Sequence, residues 1–232
     1  MKISVVIPAH NEEDNIKEVI KKIEDFLDIE HELVVVNDHS TDSTCEIVRG
    51  LSIQYPDVRM VDNLSEPGFA NAIKIGFANI KTGIAVPVMG DLCDDLNTIN
   101  EMFSRINDGY NVVCGARYVK GGARLGGSRI KGFFSSFEGN SLHYFLGLPT
   151  HDIANAFKMY RKNVIDSINI ESKCFEVSME LALKAYFSGF KITEVPTVWR
   201  ERTKGKSSFK MLKLLPAYLK LYLWAFYKRI RG

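Results

Sequence analysis

Three short stretches of this sequence carry acids at spacings suited to chemistry. PAHNE ends in Glu12, NDHSTDST brings Asp38, and GDLCDD brings Asp91 with Asp94 and Asp95 close behind. Carboxylates gathered together repel one another and any phosphate, so such a cluster serves an anionic substrate only through a divalent ion. Mg2+ or Mn2+ is therefore the expected cofactor, held by one or two carboxylates, with phosphate oxygens and water completing its shell. Asp91 is the first expected ligand and Asp94 its helper, whereas Asp95 is expected to cap the next helix. Two residues before Asp91, where a second acid would make an Asp-x-Asp clamp, stands Met89.

The matching cations come later in the chain. Between positions 109 and 137 there are five basic residues and no acid, and no acid follows Glu201. Planar arginines with several donors suit phosphate, and amides at a helix start add a second anion cradle. Arg117 follows a strand at its carboxyl end and is expected to be functional, while Lys120 and Arg124 are expected to be solvated. The run Arg200, Arg202, Lys204 and Lys206, with its glycine and serines, has the composition of a mobile lid. A net charge of only +2, so segregated, argues against a nucleic-acid binder. No G-x-G-x-x-G follows the first apolar run and no G-x-x-x-x-G-K-[ST] occurs, so dinucleotide oxidoreductases and P-loop kinases would lack their phosphate cradle. Four scattered cysteines form no zinc or disulfide pattern, and His10 has no second histidine at ligand spacing.

The elements that must position these residues follow from the hydrophobic pattern. With 232 residues, 46% apolar and 25% charged, the chain suits one large domain. Apolar runs at 3–8, 32–37, 58–62, 84–90 and 111–116 alternate with segments of helical period. In the first of these segments Ile16, Val19, Ile20, Ile23, Phe26 and Leu27 form one stripe, and Ser43 to Glu46 has the pattern of a capping box opening the next. Such an order predicts an α/β fold, a mostly parallel central sheet with helices on both faces. Ligands in such sheets bind outside the carboxyl ends of the strands, which brings Glu12, Asp38 and Asp91 to one edge. Beyond a glycine-rich loop, the pattern predicts a helix over 135–146, an irregular strand-like piece at 152–162, a helix over 175–187 and one strand over 190–199.

The segment 209–232 is different in kind. Lys210, Lys213, Lys220, Lys228 and Arg231 fall within about 80° of one another on a helical wheel, and nearly everything else is Leu, Tyr, Phe, Trp, Met or Ala. With lysines inside it, the segment suits a membrane surface better than a membrane span, with Trp224 and Tyr227 beside the basic stripe. The competing reading is a helix docked on the core or on a dimer or membrane-protein partner.

Taken in order, these motifs resemble glycosyltransferase family 2, which has the GT-A fold, and most closely its polyprenyl-phosphate sugar transferases of the dolichyl-phosphate mannose synthase type. PAHNEEDNI resembles the family's P-x-[YH]-N-E, VVVNDHSTDST its V-V-D-D-x-S-x-D-x-T, and EPGFANAIKIGF its N-x-G-x-x-x-A-x-x-x-G. GDLCDD resembles D-A-D-L, GARY resembles G-S-R-Y, and EVPTVWRERTKGKSS resembles E-V-P-I-x-F-x-x-R-x-x-G-x-S-K. The resemblance spans residues 3–208, so a GT-A domain over 1–208 and a basic amphipathic helix over 209–232 are expected. It implies an inverting enzyme that moves a sugar from a nucleotide-diphosphate sugar to a polyprenyl phosphate.

Residue by residue, the resemblance implies that Pro8, Ala9 and Glu12 hold ribose and base, with Asp38 on the base and Gly68 admitting the backbone. Asp91 would bind the metal bridging the diphosphate. Arg117, Arg129, Lys131 and Ser135 would grip the acceptor phosphate, and Arg202, Lys206 and Ser207 would close over the leaving diphosphate. Asp91, Arg117 and Arg202 are the expected catalytic residues. A phosphate monoester is already mostly anionic near pH 7 and attacks without a dedicated base. The Glu-Asp pair of hydroxyl-accepting relatives is not evident, since Val177 follows Glu176. Glu180 matches an acid of the polyprenyl-phosphate group and is expected to organise the site.

Asn37, Met89, Cys93 and Ser208 depart from the family pattern. They leave two alternatives open: a transferase acting on a glycan hydroxyl, or a catalytically weak nucleotide-sugar-binding protein held on the membrane. Met1 leads into ISVVIP without a charged signal region. The expected location is cytoplasmic, peripheral on the cytoplasmic face of the membrane.

Overall fold

The structure is a computed structural model that describes residues 1–202 and 211–231. Its first half alternates β1 (Ile3–Ala9), α1 (Ile16–Phe26), β2 (His31–Asn37), α2 (Thr44–Gln54), β3 (Val58–Asp62), α3 (Phe69–Ala78), β4 (Ile84–Pro87), α4 (Thr98–Asn107) and β5 (Val112–Ala116). The remainder comprises β6 (Ala123–Leu125), α5 (Arg129–Leu146), β7 (Lys158–Arg161), α6 (Lys162–Ser167), α7 (Val177–Phe187), β8 (Ile192–Pro196), β9 (Val198–Arg200) and α8 (Met211–Arg231).

Seven strands form one sheet in the order β3-β2-β1-β4-β7-β5-β8, parallel except for β7, which runs antiparallel to both of its neighbours. The near-continuous apolar strands are buried on both faces because helices cover both. Ile3, Val5 and Ile7 of β1 pack with α1, α2 and α4 on one side, while Val6 packs with α3, α6 and α7 on the other. Gly76 of α3 lies so close to β1 that any Cβ there would overlap Val6. Adding even a methyl group would force the helix off the sheet, at a cost of about 1–3 kcal/mol.

Four local expectations are corrected. Phe26 ends the α1 stripe exposed, whereas Leu27, expected in the same stripe, is buried. Ser43 makes no side-chain cap on α2; Asp42 Oδ1 accepts both the Thr44 amide and its hydroxyl. The helix expected over 135–146 begins a turn and a half earlier at Arg129, capped by Ser128, whose side chain accepts from the Lys131 amide. The strand expected over 190–199 divides at Thr197: β8 pairs with β5, and β9 leaves the main sheet to pair with β6.

The last helix joins the domain. Leu142 and Leu146 of α5, Met179 and Leu183 of α7, and Ala225 of α8 share a third core, and the Tyr222 hydroxyl lies 3.0 Å from Ser141 Oγ. Trp224, expected at the membrane interface, instead meets Phe187 edge-to-face at 5.5 Å.

Candidate functional site

The expected acids do meet at one edge of the sheet. Asn11, His39 and Leu92, one in each acidic motif, are the non-glycine residues with positive φ among those described, at 53°, 58° and 61°. Left-handed backbone at such residues costs about 1–3 kcal/mol each and persists where surrounding contacts enforce it, often at functional sites. Leu92 is the least expected of the three, since neither glycine's freedom nor a side-chain amide helps it.

At the first strand end, Pro8 and Ala9 are buried in β1, and the Ala9 carbonyl accepts the Asp38 amide at 2.8 Å. Asp38 is buried, and its carboxylate is already engaged: Oδ1 accepts Asn63 Nδ2 at 2.6 Å, and both oxygens lie 3.0–3.1 Å from the Gly68 amide. These bonds tie both ends of the loop from Asn63 to Gly68 to the end of β2. Gly68 itself has φ 155° and sits where a Cβ would come within 3.3 Å of the Lys173 carbonyl. Glu176 Oε1 accepts the Lys173 and Cys174 amides, and Phe69 stacks on Phe175 at 4.6 Å, so the loops before α3 and α7 form one unit. Glu180 accepts the Glu171 and Ser172 amides and pairs with Lys184, organising the turn before α7.

Beyond β4, Asp91 accepts the Cys93 amide on Oδ1 at 3.2 Å, and Asp94 accepts the Met89 amide on Oδ2 at 3.2 Å. Met89 thus contributes backbone where the clamp would have a carboxylate. Burial and then the Asp91 charge push the Asp94 carboxyl up to about 7. Cys93 is buried, and burial with the neighbouring acids pushes its thiol far up. Asp95 makes an Asx turn to the Asn97 amide at 3.1 Å, and Asn97 is the residue at the cap of α4.

Arg202 links the two ends. Its Nη2 lies 2.8 Å from Glu12 Oε1 and 3.3 Å from Asp91 Oδ2, and burial of the pairs is substantial, with 13–17% of each side chain exposed. Glu12 Oε2 accepts Asn15 Nδ2. Glu12 thus shares Arg202 with Asp91.

On the other side of the sheet edge Arg117 is buried against Asp152. Nε meets Oδ2 at 2.7 Å, Nη2 meets Oδ1 at 2.8 Å, and the Arg117 amide also donates to Oδ2. Nη2 reaches Ser135 Oγ at 3.0 Å, so two of the four expected acceptor residues are in contact. Lys131 is half-buried one turn earlier on α5, and Arg129 opens that helix exposed. Lys206 and Ser207, like Lys204, Ser208 and Lys210, lie outside the described residues.

Asp152 escaped sequence reasoning, and so did Glu138 and Lys158 beneath it. Lys158 is buried, donating to the Ile153 and Asn155 carbonyls and to Ser178 Oγ, and burial brings its ammonium down to about 8. Burial and the Asp152 charge push Glu138 up to about 8. The only available signal for Asp152 was chemical: a buried arginine needs a carboxylate.

The donor set suits a divalent ion that shares its shell with substrate. Among the described residues no three His, Cys, Asp or Glu side chains converge. Burial first and then the Asp91 charge raise the Asp94 carboxyl, and a cation beside the two acids would offset their mutual repulsion, with phosphate and water supplying the other oxygens.

The model of glycosyl transferase family 2 matches residues 4–168. The chain belongs to that family. It is 31% identical over 215 residues to a dolichol-phosphate mannosyltransferase of Pyrococcus furiosus, a match covering 90% of this chain and 60% of that protein. This family 2 chain is also 28% identical over 237 residues to a polyprenol monophosphomannose synthase of Mycolicibacterium smegmatis, covering 98% and 87% of the two chains. Its fold is that of the solved glucosyl-3-phosphoglycerate synthase from Mycobacterium tuberculosis in complex with Mn2+, uridine diphosphate and phosphoglyceric acid. The TM-score is 0.72 at 20% identity, over 98% of this chain and 78% of that one. The expected GT-A fold is thus found, with the antiparallel β7 in the middle of its sheet.

Proposed function

We propose that this chain transfers a sugar, with inversion, from a nucleotide-diphosphate sugar to a polyprenyl phosphate at a membrane surface. The observation that carries the reading is the pairing of two anion sites across one sheet edge. The acid group of Glu12 and Asp91 with Arg202 suits a donor diphosphate, and Arg117 with Ser135 suits a phosphate acceptor. The names of the Pyrococcus and Mycolicibacterium relatives point the same way.

A divalent ion, Mg2+ or Mn2+, held by Asp91 and Asp94 would neutralise charge on the leaving diphosphate. The chain's own residues do the rest. Arg117, fixed by Asp152, and Ser135 orient the acceptor phosphate, whose anionic oxygen attacks the anomeric carbon in line. Arg202 supplies hydrogen bonds to the departing diphosphate. The loop from Asn63 to Gly68, held at its two ends by Asp38, borders the nucleoside pocket on this reading.

Two helices support the membrane setting. Ile130, Phe133, Phe134 and Phe137 recur at helical spacing on α5 and are exposed, Phe133 by 67% and Phe137 by 59%. Leu215, Leu219, Leu223 and Tyr227 of α8 are exposed as well, and α8 carries no acid. Among the described residues no helix is long and apolar enough to cross a membrane. Apolar side chains fringed with lysine and arginine suit the surface of an anionic bilayer, here its cytoplasmic face.

The test is product analysis. Short polyprenyl phosphate is supplied with a panel of nucleotide sugars, with and without chelator, and a lipid-linked sugar is expected only where metal is present. Nucleotide release only with glycan acceptors would refute the lipid-phosphate reading. Nucleotide binding without turnover on any acceptor would make the chain a binding protein.

A further inference from the structure

Arg202 and a divalent ion draw on the same Asp91 carboxylate. Oδ1 of Asp91 accepts the Cys93 amide at 3.2 Å, and Oδ2 faces Arg202 Nη2 at 3.3 Å. The same nitrogen donates to Glu12 Oε1 at 2.8 Å, so one guanidinium corner spans two carboxylates from the ends of β1 and β4. A metal ion draws carboxylate oxygens to roughly 2.0–2.2 Å and repels a neighbouring cation, so the two cannot share this pair. The backbone leading to Arg202 is pinned: Arg200 donates to the Cys93 carbonyl, Glu201 donates to the Leu125 carbonyl, and the Glu201 carboxylate accepts the Gly127 amide at 2.8 Å. Only the side chain needs to swing.

Resting on the reading of Asp91 as a metal carboxylate, we propose that Arg202 is an internal counter-ion that competes with the divalent ion for Asp91 and is drawn away by the donor's diphosphate. Metal and donor then enter as a coupled pair. A diphosphate offers the guanidinium a geometry matched to its planar fork, which frees Asp91 and Glu12 together. The coupling is mutual, since whatever the diphosphate does for metal affinity the metal does for diphosphate affinity. Metal alone meets the competitor in place.

The experiment uses Mn2+ alone on the full chain, with free Mn2+ followed by its electron paramagnetic resonance signal. Arg202→Gln is expected to bind Mn2+ about tenfold more tightly than the wild type, the scale of one charged hydrogen bond lost to the competitor. Arg202→Lys, a point charge without the fork, is expected to fall between them. Adding GDP or UDP should tighten Mn2+ binding by a larger factor in the wild type than in Arg202→Gln. A folded Arg202→Gln that binds Mn2+ no more tightly than the wild type overturns the proposal. If that variant does not fold, a folded Arg202→Lys equal to the wild type overturns it as well. Because the readout is the metal alone, it is separate from the acceptor panel: sugar transfer to lipid phosphate with no change in Mn2+ affinity refutes the counter-ion and leaves the transferase reading standing.

Discussion

Replacing Asp152 by Asn should cost more stability than any change at the acidic edge. Asp152 is fully buried, and its two oxygens receive three donors from Arg117: the amide, Nε and Nη2. The Asn side chain turns one acceptor oxygen into a donor facing Arg117 and leaves the guanidinium, itself 11% exposed, without its counter-charge. Breaking a buried pair from one side costs about 3–5 kcal/mol, because the remaining charge stays desolvated. For a chain of this size each kcal/mol lowers Tm by about 2–4 °C, so a fall of roughly 6–20 °C is expected in a thermal melt. Urea unfolding should show the midpoint falling with an unchanged slope. The double variant Arg117→Met with Asp152→Asn removes the orphaned charge and should regain most of the loss, while lacking acceptor binding. A single variant that melts within about 2 °C of the wild type, or a double variant that loses the sum of both singles, would refute the claim that Asp152 carries the Arg117 charge.

Three further outcomes follow from the site and its surroundings. Asp91→Asn should lower turnover by roughly 100-fold or more while nucleotide binding changes little; equal activity in a steady-state assay would remove Asp91 from the metal site. Glu138 is pushed up from 4.5 to about 8, so between those values the folded chain keeps a proton that the unfolded chain has released. The stability this group contributes is lost as pH rises through that window, by at most about 1.4 kcal/mol per pH unit. Relative to Glu138→Gln, the wild type should therefore weaken in urea between pH 5.5 and 7.5, and parallel curves would contradict the burial argument. The groups facing Glu138 are Asp152, Lys158 and Tyr218. Phe133→Ser with Phe137→Ser should weaken sedimentation with anionic liposomes at least about tenfold without lowering Tm, since both rings are exposed; unchanged sedimentation would remove α5 from the membrane face.

The sequence made legible those features that depend on neighbours in the chain. The apolar runs of β1 and β2 and the stripe of α1 follow from local periodicity, and the sheet-edge rule then brought Glu12, Asp38 and Asp91 together. What it hid was long-range. β7 occupies four residues of the strand-like piece expected at 152–162, but its antiparallel place between β4 and β5 and the burial of Lys158 at its start are set by distant segments. Arg117 could be placed at a strand end, yet its partner lies 35 residues later in an irregular stretch. Asp38 could be placed at a strand end, but its bonds to Asn63 and Gly68, 25 and 30 residues later, could not. The exposed phenylalanines of α5 were in plain view; what the sequence lacked was the packing that turns them outward.

On the proposed reading, that packing bears on how a long lipid is presented to a polar site. Ser135 on α5 reaches Arg117, whereas Phe133 and Phe137, two residues to either side, are exposed. At 100° per residue these positions lie about 160° around the helix from Ser135. One helix therefore offers its inner side to a phosphate and its outer side to apolar surroundings, and the two are separated by about one helix diameter, roughly 10 Å. On the proposed reading, a bilayer against the phenylalanine face leaves the lipid phosphate only that distance to travel around α5, so the isoprenoid stays in the membrane while its head reaches Arg117. α8 packs beside α5, since the Tyr222 hydroxyl meets Ser141 of α5 and Phe226 packs on Phe145. Removing α8 would thus uncover the core at Leu142 and Leu146 along with the membrane face. A test of membrane contact must change the exposed Leu219, Leu223 and Tyr227 in place, and loss of liposome binding at unchanged Tm is the result that assigns this face to the bilayer.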